Sequence, residues 1–514
     1  MLFNSHVFIL AFLPVTLLGF FLLGGRSHAA GRSWLLAASL VFYGWWSWGY
    51  LVLLLLTMVF NWGLGRLIAA RRADHARAAY ALTAFGIAAN LGVLGYFKYA
   101  TFVAGNIAAL TGIAFAIDAV VLPLAISFHT FQQIAYIVDV RRGTAKQYRL
   151  LDYLLFVSFF PQLIAGPIVH HYELLPQFEK REIYRFQDSA FAVGIAFFAM
   201  GLVKKLAIAD PVGALATPVF QTAVVQPPGL GEAWLAITAF SLGLYFDFSA
   251  YSDMAVGLAR MFGIRLPYNF NSPYKATSII DFWHRWHMTL SRFLRDYLYI
   301  PLGGNRHGPA RRYLNLMITM LLGGLWHGAA WTFAIWGGLH GLYLLVNHAW
   351  NAFSARIEAR AGRRPSLGRR PAQALTLLAV AIAWVFFAAP SFAAAMSMLS
   401  GMAGGNGLMR PESSALLRIA LDGGLAGLRA EFGFAAVVHQ AVALGALALG
   451  LLTVLALPNS QEIIDGRADR VEGPQRWRRL RFQPTAMAAV AAAAALLFAF
   501  TLMADVKEFV YFQF

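Results

Sequence analysis

The chain has 514 residues, 59% of them hydrophobic and only 13% charged, with a mean hydropathy of +0.60. Soluble domains average about a quarter charged, so lipid is the expected solvent. The net charge of +17 fits basic cytoplasmic loops better than nucleic acid, since no basic stretch is interleaved with base-stacking aromatics. There are no cysteines, which excludes disulfides, thiolate metal sites and cysteine nucleophiles.

Residues 1–25 carry no formal charge and precede Arg26 and Arg32, which predicts an uncleaved first span with its N-terminus outside. Residues 33–65 are again uncharged and lead into Arg66, Arg71, Arg72 and Arg77. A tight helical pair broken near Gly49 puts both basic clusters on one side. Further apolar runs cover 78–97, 99–117, 119–138, 153–172, 189–203, 233–246, 313–355, 371–409, 432–461 and 483–504. They predict an all-α polytopic membrane protein with about eleven or twelve crossings, plus re-entrant or interfacial amphipathic helices. The Arg-rich segments 356–370 and 467–481 read as cytoplasmic loops. No stretch is polar enough for a soluble domain, so residues 1–514 are expected to form one membrane domain.

The chemistry gathers between about 245 and 350. Asp247 and Asp253 lie inside an apolar stretch, where a carboxylate is costly and needs a partner or a purpose. Arg260 and Arg265 are the nearest candidate partners. In DFWHRWHMTLSRFLRDYLYIPLGGNR, Phe282, Trp283, Trp286, Leu290, Phe293, Leu294 and Tyr297 fall within one ~120° stripe of a helix. Arg285, Arg292 and Arg295 occupy the other face and suit a wet, phosphate-bearing surface, while His287 sits at the edge. His327, His340 and His348 then stand within 43 residues that carry no formal charge. Neutral imidazole is a titratable base that membrane depth tolerates. Gly323, Gly324 and Gly328 around His327 let a helix or a substrate approach closely. Read alone, His327 suits a buried hydrogen-bonding group or a catalytic one equally. Bis-heme ligation needs a second histidine pair on another span. His129 is single and His170–His171 are adjacent, so no metal or heme is expected. No GxxxxGK[ST], GxSxG or HExxH motif occurs, nor a His followed five residues later by Asp.

At these residues the sequence resembles the membrane-bound O-acyltransferase family, and within it the bacterial branch holding the membrane subunit of alginate O-acetyltransferase. Matching stretches include MLFNSHVFILAFLP at the start, LGYFKYATF at 94–102, LPLAISFHTFQQIAYIVDVRRG at 122–143 and FFPQLIAGPI at 159–168. YFDFSAYSDMAVGL, the DFWHRWH segment, MLLGGLWHGAAWTFAIWGGLHG and EFVYFQF at 508–514 follow. The resemblance puts the family's invariant histidine on His327 and its second motif residue on His287, with His340, Trp326 and Asp253 supporting. It implies acetyl transfer from cytoplasmic acetyl-CoA to an exported polysaccharide, with no bound cofactor. His327 would act as general base, and His287 would orient it or donate to the oxyanion. Both imidazoles would line one water-accessible cavity, with Arg285, Arg292 and Arg295 near the CoA phosphates. A periplasmic esterase-like acetyltransferase is the implied partner, and the inner membrane of a bacterium, with its lipids, the implied location. Acylation of teichoic acid, a lipid or a protein is the alternative chemistry, and polysaccharide or lipid transport the alternative class. His284, where relatives often carry Arg, and His170–His171 depart from the family pattern.

Overall fold

The computed structural model describes residues 1–113, 121–363, 365–409, 434–465, 482–503 and 509, and every regular element among them is helical. Among the described residues six helices are long and apolar enough to cross a membrane: Phe8–Arg26, Trp48–Arg71, Ala76–Thr111, Asp188–Thr222, Leu230–Met261 and Arg369–Ala388. Phe392–Met402, Ala441–Ala456 and Ala486–Thr501 are shorter and apolar. This is fewer than the eleven or twelve crossings expected. The two helices that carry most of the family motif, Gly308–His327 and Trp331–Ala361, are long enough, but their Asn, His and Gly residues lower their hydropathy.

The expected pair over 33–65 is present as His28–Gly44 and Trp48–Arg71. Ser47 caps the second helix by accepting from Tyr50 N. The runs 78–97 and 99–117 are not two spans. Lys98, which separates them in sequence, sits in a π-helical turn at Gly95–Tyr99 inside the single helix Ala76–Thr111. Such turns insert one extra residue and often mark functional positions.

Asp188–Thr222 lies along Leu230–Met261 at backbone distance. A Cβ on Gly194 would stand 2.7 Å from Gly257 O, and one on Gly201 would stand 2.6 Å from Ala250 O. A second π-helical turn, Lys204–Ala209, presents two lysines to the neighbouring helix. Lys204 pairs with Asp253 at 2.6 Å, and Lys205 with Asp247 at 2.6 Å and Asp210 at 2.9 Å. The carboxylates therefore find partners across a helix interface, not in Arg260 and Arg265. Arg260 lies two turns beyond Asp253 and binds Asp465 at 2.6 Å, while Arg265 lies past the helix end and is exposed.

Arg72 Nη1 donates to Val140 O, so the basic end of Trp48–Arg71 meets the Arg141–Arg142 end of Ile126–Arg142. Basic ends gathered on one face mark the cytoplasmic side. Arg71→Cys and Arg360→Cys, on this cysteine-free background, are expected to resist an impermeant maleimide in intact cells and to react after permeabilisation. Labelling of either from outside reverses the assignment. The basic segment 467–481 lies outside the described residues, and EFVYFQF lies outside them except for Phe509.

Candidate active site

The site is built on a helical hairpin. Gly308–His327 ends at His327, Gly328 is extended, and Trp331–Ala361 begins after Ala330. The two helices touch at glycines: a Cβ on Gly324 would stand 2.3 Å from Phe333 O, and one on Gly337 would stand 2.3 Å from Met320 O. A Cβ on Gly328 would meet the Phe333 ring at 2.0 Å. The small residues near His327 thus serve helix packing, not substrate space. Trp336 and His340 lie four residues apart on one helix face. The His327 ring is 5.1 Å from the Trp336 ring and 4.9 Å from that of Trp326, and His340 is 5.0 Å from Trp336.

A helix ending inside a membrane leaves carbonyls that no water can satisfy. Here two residues of the π-helical turn do so. Tyr99 Oη donates to Leu325 O at 2.7 Å. Lys98 Nζ donates to Trp326 O at 2.5 Å, His327 O at 3.1 Å and Ser127 Oγ at 3.3 Å. Three acceptors match the three donors of an ammonium, and a cation suits the negative end of the helix. Lys98 is buried, and it fixes the backbone of His327 from a helix over two hundred residues earlier.

His287 is reached differently. The expected single amphipathic helix is broken into Ile279–Trp283 and Met288–Leu294, with His287 between them at φ 44° and ψ 52°. The stripe is nevertheless buried: Phe282, Trp286, Leu290 and Phe293 all face protein. A non-glycine residue in the left-handed region costs about 1–3 kcal/mol and persists only where its surroundings impose it. Asn269 imposes it here. Its backbone carbonyl accepts from Met288 N at 2.9 Å. Its Oδ1 accepts from Thr289 N at 3.3 Å, from Thr289 Oγ1 at 2.9 Å and from His287 Nδ1 at 3.0 Å. An amide N–H can only donate, so the Asn269 atom facing Thr289 N is the carbonyl oxygen. His287 Nδ1 must then carry the proton, and the neutral ring offers its lone pair at Nε2. Thr289 is itself placed by Ile168 N, from the AGPI stretch, at 3.0 Å. The His287 ring is 6.3 Å from that of Trp326, so one indole stands beside both motif histidines.

The other expected site residues divide. Trp326 and His340 belong to the cluster. Neither His340 ring nitrogen has a hydrogen-bond partner among the described residues, and its ring packs on Trp283 at 5.2 Å and Phe282 at 6.0 Å. Asp253 is bonded to Lys204 and Ser460, not to a histidine. Arg292 makes a bidentate pair with Glu173 at 2.6 and 2.8 Å, and Arg295 pairs with its neighbour Asp296. Arg285, held by Asp281 at 2.7 Å, lines a cavity of about 1220 Å³. Lys275, Arg369, Leu342, Val346 and Leu375 line the same cavity.

None of the three histidines lines that cavity; His287 and His340 are fully buried, and His327 is 5% exposed. Among the described residues Trp336, Trp384 and Phe387 pack against His327 and His340, on the side where a shared, open cavity was expected. Tyr343 joins the two regions, lining the cavity and packing 5.8 Å from His340. His170 and His171 form a separate cluster with Tyr297, Asp139 and Tyr148, and His284 is exposed.

Comparison with known proteins places this arrangement. Residues 77–387 match the model of MBOAT, the membrane-bound O-acyltransferase family, and all the clustered residues lie within that range. The chain is 41% identical over 435 residues to the peptidoglycan O-acetyltransferase of Helicobacter pylori, covering 79% of this chain and 81% of that protein. It is 43% identical over 407 residues to the probable alginate O-acetylase AlgI of Pseudomonas aeruginosa, covering 78% and 75%. It is 29% identical over 246 residues to the teichoic acid D-alanyltransferase of Streptococcus thermophilus, covering 44% and 57%. The chain belongs to the membrane-bound O-acyltransferase family and is a multi-pass membrane acyltransferase.

Proposed function

We propose that this protein takes acetyl groups from cytoplasmic acetyl-CoA and passes them across a bacterial inner membrane for O-acetylation of an exported polysaccharide, together with a periplasmic esterase-like acetyltransferase. The observation that carries the reading is the placement of His287 and His327 against one indole, that of Trp326, in a chain 41–43% identical to relatives named for O-acetylation of peptidoglycan and alginate. In this reading His327 takes the proton of the acceptor hydroxyl as its oxygen attacks the thioester, a contribution of typically ~10²–10⁴-fold. His287, with its Nδ1 proton committed to Asn269, acts through the Nε2 lone pair. That supports an orienting or proton-accepting role and disfavours donation to the oxyanion.

The cavity supports the donor side. Its basic rim of Lys275, Arg285 and Arg369 suits phosphates, its apolar wall suits the pantetheine arm, and Tyr343 leads toward the histidines. Arg285→Ala and Arg369→Ala are each expected to raise the KM for acetyl-CoA about tenfold, the equivalent of one charge-assisted hydrogen bond, with kcat within about twofold. Arg292→Ala and Arg295→Ala are expected to leave KM unchanged. An unchanged KM in both cavity variants removes the donor from this cavity.

The function itself is tested by adding acetyl-CoA to the purified protein in lipid nanodiscs and titrating released thiol, with alginate or peptidoglycan oligosaccharides as acceptors. Because the chain has no cysteine, every thiol detected is CoA. Release stimulated by one of these acceptors is the expected result. Its absence with both overturns the polysaccharide reading.

A further inference from the structure

Four tryptophans outside the site spend their indole protons. Trp34 donates to Thr16 O, Trp62 to Tyr148 O, Trp234 to Met402 O and Trp331 to Asn106 Oδ1, at 2.8–3.1 Å. Around the motif histidines the pattern reverses. Trp283, Trp326, Trp336 and Trp384 are all at least nine-tenths buried, and none of their Nε1 atoms has a hydrogen-bond partner among the described residues. A buried donor without an acceptor is costly, and more so where lipid replaces water, so four together point to an acceptor that a substrate brings.

Trp336 packs on both His327 and His340. It is 1% exposed, and its ring is steeply inclined to those of His327, at 5.1 Å and 86°, and His340, at 5.0 Å and 67°. Its remaining ring neighbours are Trp283, Trp384 and Phe387, none of which offers an oxygen. Trp283 packs on His340, and Trp326, 4.9 Å from His327 and 6.3 Å from His287, has the Lys98 ammonium 5.9 Å from its ring centroid. Trp336 has no role in the motif reading of the sequence.

We propose that the indole N–H of Trp336 is the oxyanion donor of the acyl-transfer step. The inference rests on the reading that this site attacks a thioester. As the acceptor oxygen bonds to the acyl carbon, the carbonyl π pair moves onto its oxygen, and the Trp336 N–H donates to that oxyanion. His327 holds the acceptor's proton. When the oxyanion collapses, the carbon–sulfur bond breaks, and the proton leaves with the thiolate as free thiol.

The test uses the full chain in nanodiscs with acetyl-CoA. Trp336→Phe keeps a ring and removes the proton. A benzothienylalanine placed at 336 by suppression keeps the bicyclic shape and replaces N–H with sulfur, which preserves packing where Phe does not. Both are expected to lower kcat about 10²–10³-fold, the usual loss for one oxyanion donor. The KM for acetyl-CoA should stay within twofold and the shape of the pH–rate profile should not change, since indole does not titrate. Wild-type kcat in a folded variant of either kind overturns the proposal. His327→Ala run in parallel separates the two readings. If it keeps the wild-type rate, the site assignment fails. If it is inactive while the benzothienyl protein is fully active, only the Trp336 inference fails.

Discussion

His327→Ala is expected to lower acyl transfer by about 10³-fold or more while leaving the protein folded and inserted. A general base contributes ~10²–10⁴-fold. Folding should survive, because the backbone at this helix end is held by Lys98 and Tyr99. The helix crossing beneath it is fixed by Gly324 and Gly337. His287→Ala should cost less, because an orienting group usually contributes less than the base itself. Measured in nanodiscs, a His327→Ala protein with the wild-type melting temperature and more than a tenth of the wild-type kcat would contradict the assignment.

Lys98→Met is expected to have the second largest effect. Methionine keeps the length of the side chain but abandons Trp326 O, His327 O and Ser127 Oγ. Each buried carbonyl left unbonded costs about 1–3 kcal/mol. The melting temperature should therefore fall by several degrees, and the end of the helix should shift. A displacement of about 1 Å at a reacting group can cost ~10²-fold. The loss should appear in kcat and not in the KM for acetyl-CoA, because the cavity does not include Lys98. Lys98→Arg, which retains donors, should recover part of the rate. Equal kcat in Lys98→Met and the wild type would remove Lys98 from the site.

These two residues differ in how far the sequence reveals them. His327 is conspicuous: a titratable side chain amid 43 uncharged residues, beside glycines. Lys98 leaves a fainter signal of the same kind. It is the only charge between two apolar runs, and reads as a span boundary until the π-helical turn shows that one helix continues through it. Asn269 leaves no signal, since an uncharged residue in a connecting segment has no periodicity to betray it. Its effect, a left-handed His287 that breaks a well-patterned amphipathic helix, is tertiary. Ion-pair partners fail for a similar reason. Arg260 is near Asp253 in sequence, but Lys204 on the packed neighbouring helix is near it in space. The glycines illustrate the converse. Their positions were legible, but helix packing and substrate space leave the same trace in sequence, and only the Gly324–Gly337 contact decides between them.

The central claim is that the His327 site carries an acetyl group from one side of the membrane to the other. Its most direct test supplies acetyl-CoA, labelled in the acetyl group, to the cytoplasmic side of sealed, oriented vesicles. The polysaccharide acceptor, with its periplasmic transferase, is enclosed on the other side. Ester-bound label on the enclosed polymer in wild-type vesicles, and none above background in His327→Ala vesicles, is the predicted result. Equal labelling of the polymer in the two would contradict it.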